Sequence, residues 1–101
     1  MPIEFDFYFD DELQDFHIRK HEVTEYEIND FFKNSVYFTR KRKDGSFTSY
    51  GKLRNGRYIK VVYRKITNYY YNIITAYDVD DLSIINEIEE MEEWKKKNHI
   101  L

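Results

Sequence analysis

The first residues of the chain alternate between apolar and polar side chains, with apolar residues at Ile3, Phe5, Phe7 and Phe9. This period of two predicts a strand with one buried face. Leu13 and Phe16 then lie three residues apart, after Asp10 and Asp11. Because acidic residues favour the positive end of a helix, this arrangement predicts a short helix from Leu13 to about Lys20.

A second helix is predicted after Thr24. Thr24 and Glu27 have the spacing of a capping box, in which each side chain accepts a hydrogen bond from a free backbone N–H. Apolar residues follow at helical spacing at Ile28, Phe31 and Phe32. We expect this helix to end within Lys33, Asn34 and Ser35.

Four strands are predicted next, because β-branched and aromatic residues fill four runs that are separated by turn signals: Val36–Arg42, Phe47–Leu53, Tyr58–Arg64 and Tyr69–Tyr77. The first two turns contain Asp44-Gly45 and Asn55-Gly56, which are dipeptides typical of tight hairpins. The end of the fourth run, from Asn72 to Tyr77, is apolar enough to be covered on both faces.

A final helix is predicted from the acidic cap at Asp78, Asp80 and Asp81 to about Lys97. Its apolar side is expected to enter the core, or alternatively to form a groove for a partner helix, and consists of Leu82, Ile85, Ile88, Met91 and Trp94. The predicted order is β-α-α-β-β-β-β-α. We therefore expect one α+β domain over residues 1–101, with a small antiparallel sheet of four to five strands, two N-terminal helices and one C-terminal helix.

Composition narrows the class of protein. The chain has 101 residues, of which 19% are aromatic, and such a share argues against disorder. There is no cysteine, which excludes disulfides, thiolate metal sites and cysteine nucleophiles. Neither a long apolar run nor a signal peptide is evident, so we expect a cytoplasmic protein without a membrane segment.

The net charge of −3 conceals a strong segregation of charge. Residues 1–32 contain ten acids and two bases, residues 33–65 contain eleven bases and one acid, and residues 66–101 contain eight acids and three bases. A basic middle third with interleaved aromatic residues is typical of a surface that binds a polyanion such as nucleic acid. The alternative is that these bases are solvated strand residues that pair with the acidic thirds.

Candidate chemistry is limited to a few side-chain types. His17 and His21 are four residues apart, but Arg19 and Lys20 lie between them, and no metal site or other cofactor is predicted. The chain also lacks a phosphate-binding glycine-rich loop and a serine-nucleophile motif. Histidine, tyrosine and arginine remain, and such a set can cleave RNA through a general base, a general acid and a cation that stabilises the phosphorane.

Three segments resemble the BrnT branch of the RelE-like ribonuclease toxins: Lys20–Thr24 (KHEVT), Gly56–Tyr63 (GRYIKVVY) and Ile73–Tyr77 (IITAY). The resemblance covers roughly residues 5 to 80 and preserves the order of the segments. It implies a small curved sheet with helices and an activity that cleaves mRNA. It also implies a partner, a DNA-binding antitoxin of the ribbon-helix-helix type, that neutralises the toxin.

The leading hypothesis is therefore a metal-independent endoribonuclease with RNA as its substrate. Its catalytic residues would be His21, Arg57 and Tyr77, and its RNA-binding residues Arg40, Arg42, Lys60 and Arg64. This hypothesis requires that the basic third folds into one concave wall. The sequence departs from the family pattern at Glu22, Asn72 and Tyr77, where the family has a glycine and two arginines.

Two hypotheses of another class stay open. The first is a non-catalytic module whose basic, tyrosine-rich sheet binds nucleic acid or an acidic protein, and the missing arginines favour it. The second is a structural partner protein whose acidic ends mimic nucleic acid. The oligomeric state is not predicted.

Overall fold

In the computed structural model, which describes residues 2–98, the chain forms seven strands, one 3₁₀-helix and two α-helices. The bounds are β1 Glu4–Phe7, β2 Phe9–Asp10, β3 Asp15–Phe16, the 3₁₀-helix His17–His21, α1 Glu25–Asn34, β4 Tyr37–Lys41, β5 Phe47–Lys52, β6 Tyr58–Thr67, β7 Tyr70–Asp78 and α2 Leu82–Lys97. His99 lies outside the described residues.

Five strands make one sheet in the order β1–β7–β6–β5–β4. Strands β4 to β7 form the predicted antiparallel meander, and the turns at Gly45 and Gly56 have φ values of 88° and 90°. Such positive φ values favour glycine. Strand β1 instead pairs parallel to β7 at the edge of the sheet. The α+β class is thus confirmed, but the sheet is mixed and the prediction of an antiparallel sheet was wrong for β1.

The first predicted helix does not form, so the described chain has two α-helices and not three. The chain reverses after Asp10, whose carboxylate accepts hydrogen bonds from the backbone N–H groups of Glu12 and Leu13. Phe9 then pairs with Phe16 across a two-stranded hairpin. Only His17–His21 is helical, as a single 3₁₀ segment. The acidic cap therefore starts a turn, which the hydrogen bonds to the Asp10 carboxylate and the contact between Phe9 and Phe16 stabilise.

Helix α1 covers one face of the sheet, which we call the inner face. The capping box at Thr24 and Glu27 is present as predicted. Ile28 and Phe31 are fully buried, and they pack with β-strand residues that alternate along the central strands: Ile59, Val61, Tyr63, Tyr71 and Ile73. The opposite, outer face carries the remaining alternate residues of these strands.

Helix α2 lies on the outer face, where it buries Ile88 and forms salt bridges with strand residues. Ile88 is its only fully buried residue within residues 82–97, whereas Leu82 is 73% and Trp94 55% exposed. The expectation that this stripe enters the core was wrong for those two residues. Glu87 pairs with Arg40, and Glu89 with Lys52. Within residues 2–98, no helix is both long and apolar enough to cross a membrane.

Candidate functional site

A row of polar and aromatic side chains crosses the outer face of the sheet. Tyr50 on β5 lies opposite Lys60 on β6, and Lys60 lies opposite Tyr77 on β7. Phe38 on β4 extends the row, since its ring stacks on Tyr50 with 5.1 Å between centroids. Because directly paired residues of neighbouring strands point to the same side, the register alone brings these four side chains together.

Lys60 is the cation of this row. Its ammonium nitrogen lies 4.5 Å from the centre of the Tyr77 ring, which is cation–π geometry. No carboxylate forms a salt bridge with Lys60 in the part of the chain that the structure describes. Lys60 and Tyr77 line a cleft of about 490 Å³, which Tyr50, Arg40, Ile84 and residues 78–81 complete. The cleft therefore contains, beside a phenol, a cation that forms no salt bridge among residues 2–98 but lies close enough to Asp81 to interact with its charge.

His21 approaches Tyr77 from the other side. The centroids of the two rings are 5.1 Å apart, and both residues line a second cleft of about 330 Å³ together with Lys20, Glu22 and Asp78. Burial lowers the pKa of His21 below its usual value of 6.5, and the charges of His17 and Lys20 lower it further against an opposing effect of Asp78. The imidazole is therefore neutral at pH 7 and is able to accept a proton.

Arg57 holds the backbone of His21 and Glu22 in place. Its guanidinium donates hydrogen bonds to the carbonyl oxygens of His21 (3.0 Å) and Glu22 (2.8 Å), and to the carboxylates of Asp78 and Glu27. The hydrogen bond to Asp78 is the main cause of its raised pKa. Glu22 has a left-handed φ of 58°, so the chain bends sharply at this point. Arg57 lines neither cleft, and its contacts make it a positioning residue for His21.

His17 lies next to His21 on the side away from Tyr77, outside both clefts. Its Nδ1 is 2.9 Å from the Asp10 carboxylate, and this hydrogen bond lowers the pKa of Asp10. The ring centroids of His17 and His21 are 5.9 Å apart. Among residues 2–98, no group of three or more histidine, aspartate and glutamate side chains is arranged to hold a metal ion.

The remaining predicted RNA-binding residues are divided between two places. Arg40 lines the larger cleft, where its guanidinium lies over the Phe38 ring and pairs with Glu87 at 3.0 Å. Arg42 and Arg64 lie at the other end of the sheet, near the tip of the β4–β5 hairpin, and Arg64 is 3.7 Å from Asp44. The structure thus brings together His21, Tyr77, Lys60 and Arg40. It does not form the single cationic wall that the hypothesis required.

Two features of the site were missed at the level of sequence. Tyr50 lines the cleft but was not singled out, although the register of the two predicted hairpins would have placed it beside Lys60. The rim is acidic at Asp78, Asp80 and Asp81. Asp81 also caps α2, and a hydrogen bond from Ser83 lowers its pKa. A basic strand therefore faces an acidic linker across this cleft.

No protein-family model, curated protein or solved structure matches the chain. The assignment to a family therefore stays an expectation, and the geometry of the clefts carries the functional conclusion.

Proposed function

We propose that the protein is an endoribonuclease that cleaves RNA without a metal ion. The observation that carries this proposal is the contact series His21–Tyr77–Lys60, in which a neutral imidazole, a phenol and an unpaired ammonium group follow one another within about 5 Å between neighbours. These are the three kinds of group that cleavage by the 2′-hydroxyl needs: a proton acceptor, a proton donor and a cation.

In the proposed reaction, the Nε2 or Nδ1 atom of His21 accepts the proton of the 2′-hydroxyl. The 2′-oxygen then forms a bond to phosphorus, and the bond from phosphorus to the 5′-oxygen breaks. Tyr77 donates its phenolic proton to that leaving oxygen, and Lys60 stabilises the negative charge of the phosphorane. The products are a 2′,3′-cyclic phosphate and a 5′-hydroxyl. Transfer of the proton from His21 to solvent and from solvent to Tyr77 restores the site.

Binding of the substrate is assigned to Tyr50 and Arg40. The Tyr50 ring lines the larger cleft and provides a flat surface for a base, as single-stranded RNA recognition requires. Arg40 can bind phosphate in two places, provided that Glu87 releases it. Arg57 neutralises Asp78, which reduces the repulsion between the rim and the phosphate.

A role as the toxin of a toxin–antitoxin pair is part of this proposal. It is supported by the resemblance to the BrnT branch at Lys20–Thr24, Gly56–Tyr63 and Ile73–Tyr77. The partner would then be a ribbon-helix-helix antitoxin, and the compartment would be the cytoplasm, where mRNA is translated.

The test is cleavage of a single-stranded RNA in the presence of EDTA. We expect products with a 2′,3′-cyclic phosphate, and no cleavage where the 2′-hydroxyl is replaced by 2′-O-methyl. His21→Gln should lower the rate by about 100-fold or more, because it removes the proton acceptor. His17→Gln is the matched control: it removes a histidine that the reaction does not use but that affects the pKa of His21, so its rate at pH 7 should stay far above that of His21→Gln. Cleavage that survives in His21→Gln at the wild-type rate would exclude the proposed site.

A second candidate is a module that binds nucleic acid without cleaving it. The engagement of Arg57 by Asp78 and Glu27 favours this candidate, because one predicted catalytic cation is not available to phosphate. Salt-dependent binding of RNA that stays intact during prolonged incubation would establish the module in place of the enzyme.

A further inference from the structure

The bases of the middle third differ in whether a carboxylate neutralises them. Near the clefts and α2, each of four bases has an acidic partner within 4.0 Å: Arg40 with Glu87, Lys52 with Glu89, Arg54 with Asp30, and Arg57 with Asp78 and Glu27. At the far end of the sheet, acidic partners are scarce. Among residues 2–98, bases of the middle third without a salt bridge are therefore concentrated at this far end of the sheet, and Lys60 is the exception in the cleft.

We call this end the basic tip and define it by five exposed residues of the β4–β5 hairpin and of β6: Lys41, Arg42, Lys43, Arg64 and Lys65. Asp44 is the only acid within residues 41–47 and 64–69. Its carboxylate forms a long salt bridge of 3.7 Å with Arg64. The carboxylate also accepts hydrogen bonds from the hydroxyl and backbone N–H of Ser46, and these hydrogen bonds are the main cause of the lowered pKa of Asp44. Lys41, Arg42, Lys43 and Lys65 form no salt bridge within residues 2–98.

Two ammonium groups of the basic tip are held over the same ring. The Lys65 nitrogen lies 5.2 Å and the Lys41 nitrogen 6.0 Å from the centre of Phe47. The ring attracts both cations, although they repel each other. Neither nitrogen forms a salt bridge within residues 2–98, so a bound phosphate would supply the anion that both cations lack.

Within residues 2–98, no acid other than Asp44 forms a salt bridge with the basic tip. The nearest acidic strand is β1, where Asp6 lies in the same transverse row as Asn72 and Arg64. Because β7 separates β1 from β6, the Cα atoms of Asp6 and Arg64 are about 10 Å apart. Asp6 is also engaged by the side chain of Asn72.

We propose that the basic tip anchors the phosphate backbone of single-stranded RNA, while the clefts at the other end of β6 carry out the chemistry. Lys60 and Arg64 lie on the outer face of β6 and four residues apart, so about 13 Å separates their Cα atoms. Lys41 and Lys65 belong to rows of the inner face, beside Phe47 and Tyr71, so the basic tip presents cations on both faces of the sheet end. This inference rests on the proposed function for the identity of the ligand. It assigns affinity to Lys41, Lys43 and Lys65 in addition to Arg42 and Arg64.

The experiment measures binding of a short 2′-O-methyl RNA, which cannot be cleaved, by fluorescence anisotropy over a range of salt concentrations. The test variant replaces Lys41, Arg42 and Lys43 by serine. The matched control replaces Lys95, Lys96 and Lys97, which lie at the end of α2, and changes the net charge by the same amount. Circular dichroism melting verifies that both variants are folded.

We expect the test variant to bind the RNA at least about tenfold more weakly at low salt. The slope of log affinity against log salt concentration should decrease in magnitude by about 2, because each of the three lost phosphate contacts contributes about 0.7. The control variant should keep the wild-type slope. Equal weakening of the two variants, or no weakening in the test variant, would overturn the anchor. Displacement of the RNA by polyglutamate at the same concentration of charge would also overturn it, because the tip would then bind acidic protein equally well.

A separate assay of unmodified RNA distinguishes this inference from the proposed function. If the wild-type protein leaves RNA intact but the two variants differ in slope, the anchor stands and the ribonuclease proposal fails. If the wild-type protein cleaves RNA but the test and control variants have the same salt slope, the ribonuclease proposal stands and the anchor fails. In a cleaving protein, the test variant should raise KM and leave kcat close to the wild-type value.

Discussion

Lys60 and Tyr77 face each other on neighbouring strands, with the ammonium nitrogen of Lys60 4.5 Å from the centre of the Tyr77 ring. The ring of His21 packs against the same tyrosine at 5.1 Å. Tyr77 thus connects a cation that belongs to one cleft with an imidazole that belongs to the other. Removal of the Tyr77 hydroxyl alone should therefore show whether cleavage depends on that hydroxyl or on the contacts of the ring.

Tyr77→Phe keeps the ring and removes the hydroxyl. We expect single-turnover cleavage of RNA to slow by about 100-fold or more, because the proton donor to the leaving oxygen is lost. Binding of uncleavable RNA should change little, since the contact with Lys60 remains. The matched control is Tyr70→Phe, which removes a hydroxyl from the other end of β7 and should cleave at the wild-type rate. Equal rates in Tyr77→Phe and the wild type would remove Tyr77 from the reaction.

Arg57→Lys keeps the positive charge but cannot reproduce the hydrogen bonds of the guanidinium to two carbonyl groups and two carboxylates. We expect the free energy of unfolding to fall by about 1–3 kcal/mol, measured by urea denaturation. The NMR signals of the His21 ring should shift, because the backbone of that residue loses its support.

The control for this variant is Arg54→Lys. Arg54 is 69% exposed and has a single salt bridge to Asp30, so its replacement should change stability by less than about 0.5 kcal/mol. If Arg57→Lys were as stable as Arg54→Lys and left the His21 signals in place, Arg57 would not be a positioning residue.

His21 gives the protein a defined dependence on pH. Because its pKa in the folded chain lies below 6.5, the folded state binds the proton less readily than the unfolded state does. Stability should fall as the pH decreases from about 6.5 to the folded pKa, and the loss should end below that pKa. His21→Gln should lack this component of the pH dependence.

An NMR titration checks the assignment. The midpoint of His21 should lie below 6.5 in the folded protein, and it should rise in His17→Gln, since the charge of His17 is one cause of the shift. It should reach about 6.5 in the urea-unfolded chain. A folded-state midpoint at or above 6.5 would contradict the geometry of this site.

The sequence identified the parts of the fold that depend on local signals. The capping box at Thr24 and the two glycine turns act over a few residues, and the elements that they define were correct. The direction of β1 was not predictable, because Glu4 pairs with Tyr70 through contacts between distant parts of the chain. The hairpin at Phe9 and Phe16 was missed because Asp10 was interpreted as a helix cap, whereas its carboxylate closes a turn between two short strands.

The candidate site was predicted in part. Strand alternation placed Lys60 on one side of its strand, and Tyr77 was selected from the resemblance of Ile73–Tyr77 to a family strand, but neither indicated that the two side chains would meet. The role of Arg57 does not follow from any pattern, because Asp78 and Glu27 reach it from separate elements. Charge composition shows how many bases a segment has, but their pairing depends on the tertiary structure.

Gly51 offers a test of how closely α1 and the hairpin strands approach each other beneath the site. A Cβ atom at this position would lie 2.8 Å from Cε1 of Phe31, 2.9 Å from the carbonyl oxygen of Val36 and 3.0 Å from Cβ of Tyr37. Two of these neighbours cannot turn away easily, since one is backbone and the other is a Cβ atom. We therefore expect Gly51→Ala to lower the free energy of unfolding by about 1–3 kcal/mol.

A double-mutant cycle with Phe31→Leu separates crowding from other effects of alanine. Phe31→Leu removes the ring edge nearest to the new Cβ but leaves Val36 and Tyr37 in place. The double variant should therefore lose less stability than the sum of the two single variants, by about 0.5 kcal/mol or more. Strictly additive losses in urea denaturation would show that the Phe31 ring is not the obstacle. The crowding at Gly51 would then come from the carbonyl oxygen of Val36 and the Cβ atom of Tyr37.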